Sequence, residues 1–557
     1  MNKPGETSSL NQTVADELIC WLRDHGIRHV FGTPSGAWLP YLDAMRTGDV
    51  EFVLASNEGA AGFMAVVYSW LKGVPGACYA TIGPGATNLS TGVGCALLNR
   101  TPMVAFTTEL PGNMTGRIVQ MAIDQQKLFT PITKMTTRLD PAAVRDTMDH
   151  ALSVATSGLP GPVHIGLPED IGVLPASTGT TEQTGTTAQT RTTEQTGGAP
   201  PEAAILAMEK AFRNAQKPVL AIGLGAVRTG CSNLIRAVAS RHRVPVVLTP
   251  MAKGVVPEDH PSYAGVLFHA LSDHVAMTHR QADLVVAVGY DPVEFNFESW
   301  MPEAGLINID VQPADIDRAA FPEVLNVTGT ISVALERMME LEPLQSAWDF
   351  DALAERRSAM FARFTPAEGA FGPVEVLHAL RNHLPQDGIM TCDVGAHTHL
   401  IGQMWQTPEP RTQLMDNGWS SMGFGVPAAI AAKIARPDVE VACVTGDGGF
   451  LMMAGEMATA RRLGSRIVFV LLSDGSLELI NIKQKRKALS SYGTSLVGRY
   501  TPPGPPSEIF GVPVIPAYET AGFNQALKTA FAADGPSIVQ AFIDPSGYDD
   551  LIMKSHR

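Results

Sequence analysis

The chain has 557 residues, 45% of them apolar and 17% charged, with a net charge of −14. That length exceeds a single hydrophobic core and predicts about three domains. The acidic balance argues against a nucleic-acid partner, no apolar run is long enough for a membrane span, and the six cysteines show no CxxC or paired spacing, as expected of thiols in a reducing compartment.

The opening MNKPGETSSLNQT has no apolar stretch of signal-peptide type, which predicts a cytoplasmic protein. Val14 to His25 has helical periodicity and stops at Gly26. Arg28 to Phe31 is a predicted strand, and Gly32-Thr33-Pro34-Ser35-Gly36 a turn. Glu51 to Ala55 is the next strand, with Asn57-Glu58 at its end and a helix over Gly59 to Lys72. Ala77 to Thr81 is a strand, Gly83-Pro84-Gly85 a turn, Asn88 to Leu98 a helix and Met103 to Thr108 a strand. Such alternation predicts a doubly wound, parallel α/β sheet. The runs PITK (131–134) and GPVHIGLP (161–168) close a first domain at residues 1–175.

Residues 176–201 form a Thr/Gly/Gln-rich segment with TTEQTG occurring twice, and so few apolar residues predict a linker. Residues 202–344 repeat the α/β pattern, with strands at Val219–Ile222, Val244–Leu248, Leu284–Val288 and Gly305–Ile309. Gly223-Leu224-Gly225 follows the first of these but lacks the third glycine of a dinucleotide fingerprint, so it reads as a strand-to-helix turn. Residues 345–372 are a connector with a helical middle, and residues 373–557 a third α/β domain. Tyr500 to Pro516 is Pro-rich and predicted irregular, and Ser537 to Ile543 is a last strand.

The most informative stretch is EVACVTGDGGFLMMAGEMATARRLGSRIVFVLLSDGSLELINIKQ, from Glu440 to Gln484. Val441 to Thr445 and Ile467 to Leu472 read as strands around a helix over Phe450 to Leu463, a βαβ unit that makes the strands parallel. Asp447, in the turn Gly446-Asp447-Gly448-Gly449, and Asp474 then both sit at strand carboxyl ends, where open α/β sheets bind ligands. Two neighbouring carboxylates are costly without a cation between them, and hard oxygen ligands suit Mg2+ completed by phosphate and water. The glycines let backbone approach a phosphate. A lone GDG is equally a solvated turn, but the 27-residue offset from Asp447 to Asp474 resembles the metal motif of thiamine diphosphate (ThDP) enzymes.

The whole chain resembles the acetolactate-synthase branch of that family, through FGTPSGAWLP, Glu58 at a strand end, TIGPGATNLSTG, PITK, GPVHIGLP, AKGVVPEDHP, DVGAH, MGFGVPAAIAA and GDGG in order. The resemblance implies a pyrimidine-binding, a central and a diphosphate-binding domain. It implies that Asp447, Asp474 and the carbonyl of Ser476 hold Mg2+, with Gly446, Gly448, Gly449, Gly395, Ala396 and His397 around the diphosphate. It also implies that Glu58 hydrogen-bonds the aminopyrimidine, promoting the tautomer that removes the thiazolium C2 proton. Met422 matches the apolar wedge that bends the cofactor, and the Ser420 carbonyl the acceptor of its 4'-amino group. Pro34, Pro84, Asn88, Leu477, Leu479 and Ile480 fall on further cofactor-lining positions. Alone, Glu58 is also an ordinary first-turn helix carboxylate, Met422 a core methionine and His397 a structural histidine.

Leu479 and Ile480 stand where the synthases carry Met-Val and where aldehyde-releasing decarboxylases place a Glu second. Without that acid, and without the decarboxylases' His-His pair, the resemblance implies carbon–carbon bond formation from a 2-oxo acid donor, such as pyruvate, and a carbonyl acceptor. The chain departs from the synthases' Phe-Gln-Glu before PITK, having Gln120-Met121-Ala122, with Gln120 the residue expected to reach substrate. VGYDPVEF replaces the acceptor-binding Arg of the biosynthetic enzymes and is similar to the FAD-independent catabolic ones, so FAD is admitted but not expected. CYATIGPGATNLSTG also resembles carboxyethylarginine synthase, which keeps a specialised synthase or acyltransferase as an alternative. A non-catalytic scaffold is a third reading, against which stand Glu58, Asp447 and Asp474. The family implies a homodimer or homotetramer with its site at a subunit interface.

Overall fold

The computed structural model describes residues 12–176, 198–294, 303–319, 321, 323–499, 501, 504–549 and 551–552. Most of the predicted linker, residues 177–197, lies outside the described residues. The chain divides into two compact units, residues 1–193 and 194–557.

The first unit is built on a six-stranded sheet of β1 (His29–Gly32), β2 (Glu51–Leu54), β3 (Gly76–Ala80), β4 (Met103–Glu109), β5 (Met135–Arg138) and β6 (Pro162–Pro168), ordered β2-β1-β3-β4-β6-β5. Every pairing is parallel. The strands are apolar on both faces because helices cover both; β3 and β4 are buried along their whole length.

The second unit holds two sheets. One comprises β7 (Pro218–Ile222), β8 (Val246–Leu248), β9 (Tyr263–Val266), β10 (Leu284–Val288), β11 (Gly305–Asp310) and β12 (Val324–Thr328), all parallel, in the order β12-β11-β10-β7-β8-β9. The other comprises β13 (Ile389–Cys392), β14 (Gln413–Met415), β15 (Val441–Gly446), β16 (Ile467–Ser473), β17 (Glu508–Ile509), β18 (Val512–Ala517) and β19 (Ser537–Phe542), ordered β14-β13-β15-β16-β19-β18-β17. Only the edge pair β17–β18 is antiparallel. Three parallel-dominated α/β sheets are the expected fold class.

Four local expectations are corrected. The GDGG stretch is not a free turn: a helix already begins at Asp447 and runs to Met453. The single helix expected over Phe450–Leu463 is broken, its second half being Glu456–Arg462. The helix expected from Asn88 starts at Pro84, whose fixed φ and missing N–H suit a first helical turn. Part of the Tyr500–Pro516 stretch is regular, since β17 and the start of β18 lie in it. Pro513 is tolerated there because it precedes the β18–β19 pairing, which starts at Val514, while Val514 N is the amide that donates toward the edge strand, to Ser507 O at 3.0 Å.

The Gly223–Gly225 turn is used for backbone packing. A Cβ on Gly225 would fall 2.6 Å from Gly289 Cα, and one on Gly223 2.6 Å from Gly289 O. The buried Glu294 carboxylate accepts from Leu224 N at 3.3 Å, Met251 N at 2.8 Å and Thr249 Oγ1 at 2.7 Å. An internal carboxylate thus stands at the amide where a dinucleotide phosphate would bind.

Candidate functional site

In the first unit, Pro34, Glu58 and Pro84 follow β1, β2 and β3, adjacent strands that point the same way. They therefore share the carboxyl edge of one sheet. Glu58 is the first residue of the helix Glu58–Lys72, capped by Asn57 Oδ1 accepting from Gly59 N at 2.8 Å. The helix Pro84–Leu98 packs against it so closely that a Cβ on Gly62 would lie 2.6 Å from Gly92 Cα. This contact brings Asn88 to Glu58, and Asn88 Nδ2 donates to Glu58 Oε2 at 3.1 Å. Glu58 is half-buried, while Asn88, Pro34 and Pro84 are exposed.

Gln120 lies exposed on the loop before PITK. The buried neighbour is Gln125, which the sequence reading passed over. Its Oε1 accepts from Gly83 N at 3.2 Å, and its Nε2 donates to Thr108 O at 2.9 Å and Thr107 Oγ1 at 2.5 Å. Gln125 thereby fixes the Gly83-Pro84-Gly85 turn beside Glu58, where a Cβ on Gly85 would be 3.3 Å from Glu58 Oε1. Its only sequence signal is a polar side chain in the first turn of a short helix, which does not distinguish it from Gln126.

In the second unit, β15 and β16 are paired neighbours, so Asp447 and Asp474 converge at their carboxyl ends. Asp447 Oδ2 accepts from Gly475 N at 2.8 Å and Oδ1 from Gly448 N at 2.9 Å; Asp474 Oδ1 accepts from Ser476 N at 3.0 Å. Burial, and then the Asp447 charge, push the Asp474 carboxyl up to about 7, and burial also raises Asp447. Among the described residues no three His, Cys, Asp or Glu side chains form a metal-holding group. A cation at these two carboxylates would be completed by backbone carbonyl, phosphate or water.

Around this edge the structure collects the remaining positions. A Cβ on Gly446 would lie 3.6 Å from His397 Cε1, and one on Gly395 2.8 Å from it. His397 is buried with its Nε2 unpartnered among the described residues, and burial lowers its pKa to about 4. A Cβ on Gly448 would meet Leu477 Cδ2 at 2.5 Å and Met422 Cε at 3.2 Å. Ser420 has φ +55°. Leu479 is partly buried against the core, and Ile480, on the helix Glu478–Arg486, is 45% exposed.

Two further carboxylates were missed as site residues. Asp416 (1% exposed) accepts from Trp419 N and Ser421 N, each at 3.0 Å. Asp393 (0% exposed) accepts from Gly423 N at 2.8 Å, Gly425 N at 3.1 Å and Thr445 Oγ1 at 3.3 Å, and burial pushes it up to about 6. Asp393 serves amides 30 and 32 positions away, which no spacing rule reads, whereas the Asp416 partners lie only three and five residues on.

Three family models match in order. "Thiamine pyrophosphate enzyme, N-terminal TPP binding domain" matches residues 12–128, the "central domain" 205–338 and the "C-terminal TPP binding domain" 393–541. The acetolactate synthase large subunit of Parasynechococcus marenigrum is 32% identical over 495 residues, 84% of this chain and 78% of that protein. The chain belongs to the thiamine diphosphate enzymes, on their acetolactate-synthase side. The probable acetolactate synthase large subunit of Methanocaldococcus jannaschii is 29% identical over 546 residues, covering 96% of this chain and 92% of the relative. The acetolactate synthase of Bacillus subtilis is 27% identical over 566 residues, covering 97% and 95%.

The residues present fit the cofactor of these ThDP enzymes. An orphaned buried His397 Nε2 offers a hydrogen bond to phosphate. The Gly448 and Gly395 positions have no room for side chains. No helix among the described residues is long and apolar enough to cross a membrane.

Proposed function

We propose that this enzyme is a ThDP- and Mg2+-dependent carboligase that decarboxylates a 2-oxo acid, with pyruvate the first candidate, and joins the acyl unit to a second carbonyl compound. The observation that carries this reading is the convergence of Asp447, Asp474, His397 and the glycines at one sheet edge, beside the apolar pair Leu479–Ile480. The relatives named acetolactate synthase support the same reaction class.

When bound, ThDP supplies the electron sink for decarboxylation. The chain's own residues do the rest. Asp447, Asp474 and the Ser476 carbonyl would hold Mg2+, and His397 with the amides around Gly446–Gly449 would bind the diphosphate. Glu58, steadied by Asn88, would exchange a proton with an aminopyrimidine nitrogen. Met422 and the Ser420 carbonyl would position that ring. Ile480 offers no proton, which leaves the second carbonyl compound to take the acyl unit. This reading assigns no role to FAD. The name "large subunit" among the relatives supports an oligomer, and we propose a homodimer or homotetramer.

The test is incubation with ThDP, Mg2+ and pyruvate, with and without added 2-oxo acid or aldehyde acceptors, followed by mass spectrometry. A ligated product that forms with loss of CO2 is expected. Pyruvate consumption giving acetaldehyde alone, or a calorimetric titration with no ThDP binding, overturns the proposal. An acceptor that reacts while pyruvate alone does not would favour a specialised synthase.

A further inference from the structure

Four alternate backbone amides of one loop, those of residues 419, 421, 423 and 425, all donate to just two buried carboxylates, Asp416 and Asp393. We infer that Asp416 and Asp393 are positioning residues that hold this loop ready for the cofactor, and that Asp393 locks it to the metal-bearing turn. The inference rests on the function proposed above and assigns to it two buried residues that the proposal itself leaves without a role.

The alternation has a direct consequence. With every second amide turned to a carboxylate, the residues between them, Ser420 and Met422, are fixed in direction from both sides. Ser420 sits at φ +55° and Gly423 at φ +89°. A non-glycine residue in the left-handed region needs its surroundings to hold it there. Hydrogen bonds to ionised acceptors are roughly twice as strong as neutral ones, and here they flank the strained residue. A loop of this shape built on neutral carbonyl acceptors would fold without placing two carboxyl groups where they are 0% and 1% exposed.

Asp393 reaches further than the loop. Its Oδ2 also accepts from Thr445 Oγ1 at 3.3 Å, two residues before Asp447. A Cβ on Gly449 would lie 2.8 Å from its Oδ1, so the Asp447–Met453 helix rests against the same carboxyl group. One side chain therefore sets the distance between the cation-holding end and the Met422 end. A third tie comes from the loop after β10, where Glu294 O accepts from Asn417 Nδ2 at 2.7 Å.

The experiment uses the full chain with three substitutions, Asp416→Asn, Asp393→Asn and Gly449→Ala. Asparagine sets an amide donor against a backbone donor, and the new methyl group at residue 449 displaces the Asp393 carboxyl without removing it. Melting temperature without cofactor, ThDP affinity at saturating Mg2+, and hydrogen–deuterium exchange at C2 in the saturated complex are measured. Loss of one charge-assisted bond corresponds to about tenfold. Each variant is expected to bind ThDP at least about tenfold more weakly and to exchange C2 about tenfold more slowly even when saturated. Exchange in saturated Asp416→Asn and Gly449→Ala within twofold of wild type, with only the melting temperature lowered, overturns the inference, because a purely structural role moves stability alone. Should Asp393→Asn fail to fold, the other two variants decide. Absence of ThDP binding by the wild type would instead refute the proposed function.

Discussion

Replacing Glu58 by Gln isolates the proton from the shape. Glutamine keeps the length, and its Oε1 can still accept from Asn88 Nδ2, the 3.1 Å contact that holds the native carboxylate. The Gly62–Gly92 contact that brings the two helices together is untouched. The structural loss is one negative charge in a first helical turn, about 0.3–1 kcal/mol. The chemical loss is larger, because a positioned proton-transfer group contributes about 10²–10⁴-fold, or roughly 3–5 kcal/mol of barrier. The variant should therefore melt within a few degrees of wild type, bind ThDP and Mg2+ with similar affinity, and exchange the C2 hydrogen at least about a hundredfold more slowly. Acid quenching after mixing the loaded protein into D2O, followed by proton NMR, reads the exchange. Exchange within threefold of wild type, with calorimetry showing bound cofactor, would refute a role for the Glu58 proton.

Four further outcomes are expected. Gly62→Ala puts a Cβ 2.6 Å from Gly92 Cα, so thermal melting should show a loss of about 1–3 kcal/mol from overpacking of backbone against backbone. Ile480→Glu supplies the absent proton donor at a 45% exposed position; mass spectrometry should show aldehyde release rising at the expense of ligation. Glu294, pushed up to about 7 by burial against hydrogen bonds that lower it, holds its proton in the folded state where the unfolded chain has lost it. Its contribution to stability should thus be greatest below the unfolded carboxylate range and fall by up to about 3 kcal/mol as pH rises to about 7, so denaturant titrations of Glu294→Gln should show a shallower fall than wild type, the remainder coming from Asp393 and Asp474. Asp474→Asn should raise the melting temperature without cofactor, by relieving repulsion from Asp447, while calorimetry shows Mg2+-dependent ThDP binding falling at least about tenfold.

The parts of the site that sequence reveals are those where chemistry and chain order coincide. Asp447 and Asp474 are legible because each ends a strand and one crossover separates them, so a fixed offset encodes adjacency. Glu58 is legible as an acid between a strand and a helix that Asn57 caps. The strands of all three sheets are largely legible too, since parallel strands buried on both faces read as continuous apolar runs. What failed is instructive. GDGG reads as a turn from its glycines, yet Asp447 at a helix start stabilises the first turn, and the glycines serve close approach to Leu477, Met422 and Asp393. β12 is not legible because its residues are mostly half-buried and Asn326 and Thr328 interrupt the apolar run, and β9 because it is only four residues long and contains Gly265. Gln125 and Asp393 act on amides brought near by folding, Gly83 lying 42 positions from Gln125 and Gly423 30 from Asp393. No local pattern carries that information.

The electrostatics at the β15–β16 edge explain why a site of this kind keeps a conflict in its unliganded form. Glu478, 5% exposed, adds a third carboxylate to Asp447 and Asp474, and its charge too pushes Asp474 upward. Lys485 approaches Glu478 at 3.4 Å and Asp549 at 3.6 Å, so its charge is already divided between two other acids. The amides of Gly448, Gly475 and Ser476 contribute partial charges, and burial still prevails over them at both aspartates. A compact divalent cation removes this repulsion at once and in turn attracts a diphosphate, which single amides do weakly. A fold selected for stability alone would have replaced one of the acids by Asn. That it carries two at neighbouring strand ends, with the buried His397 Nε2 and the glycines Gly395 and Gly446 beside them, supports the proposed site for a metal and its phosphates.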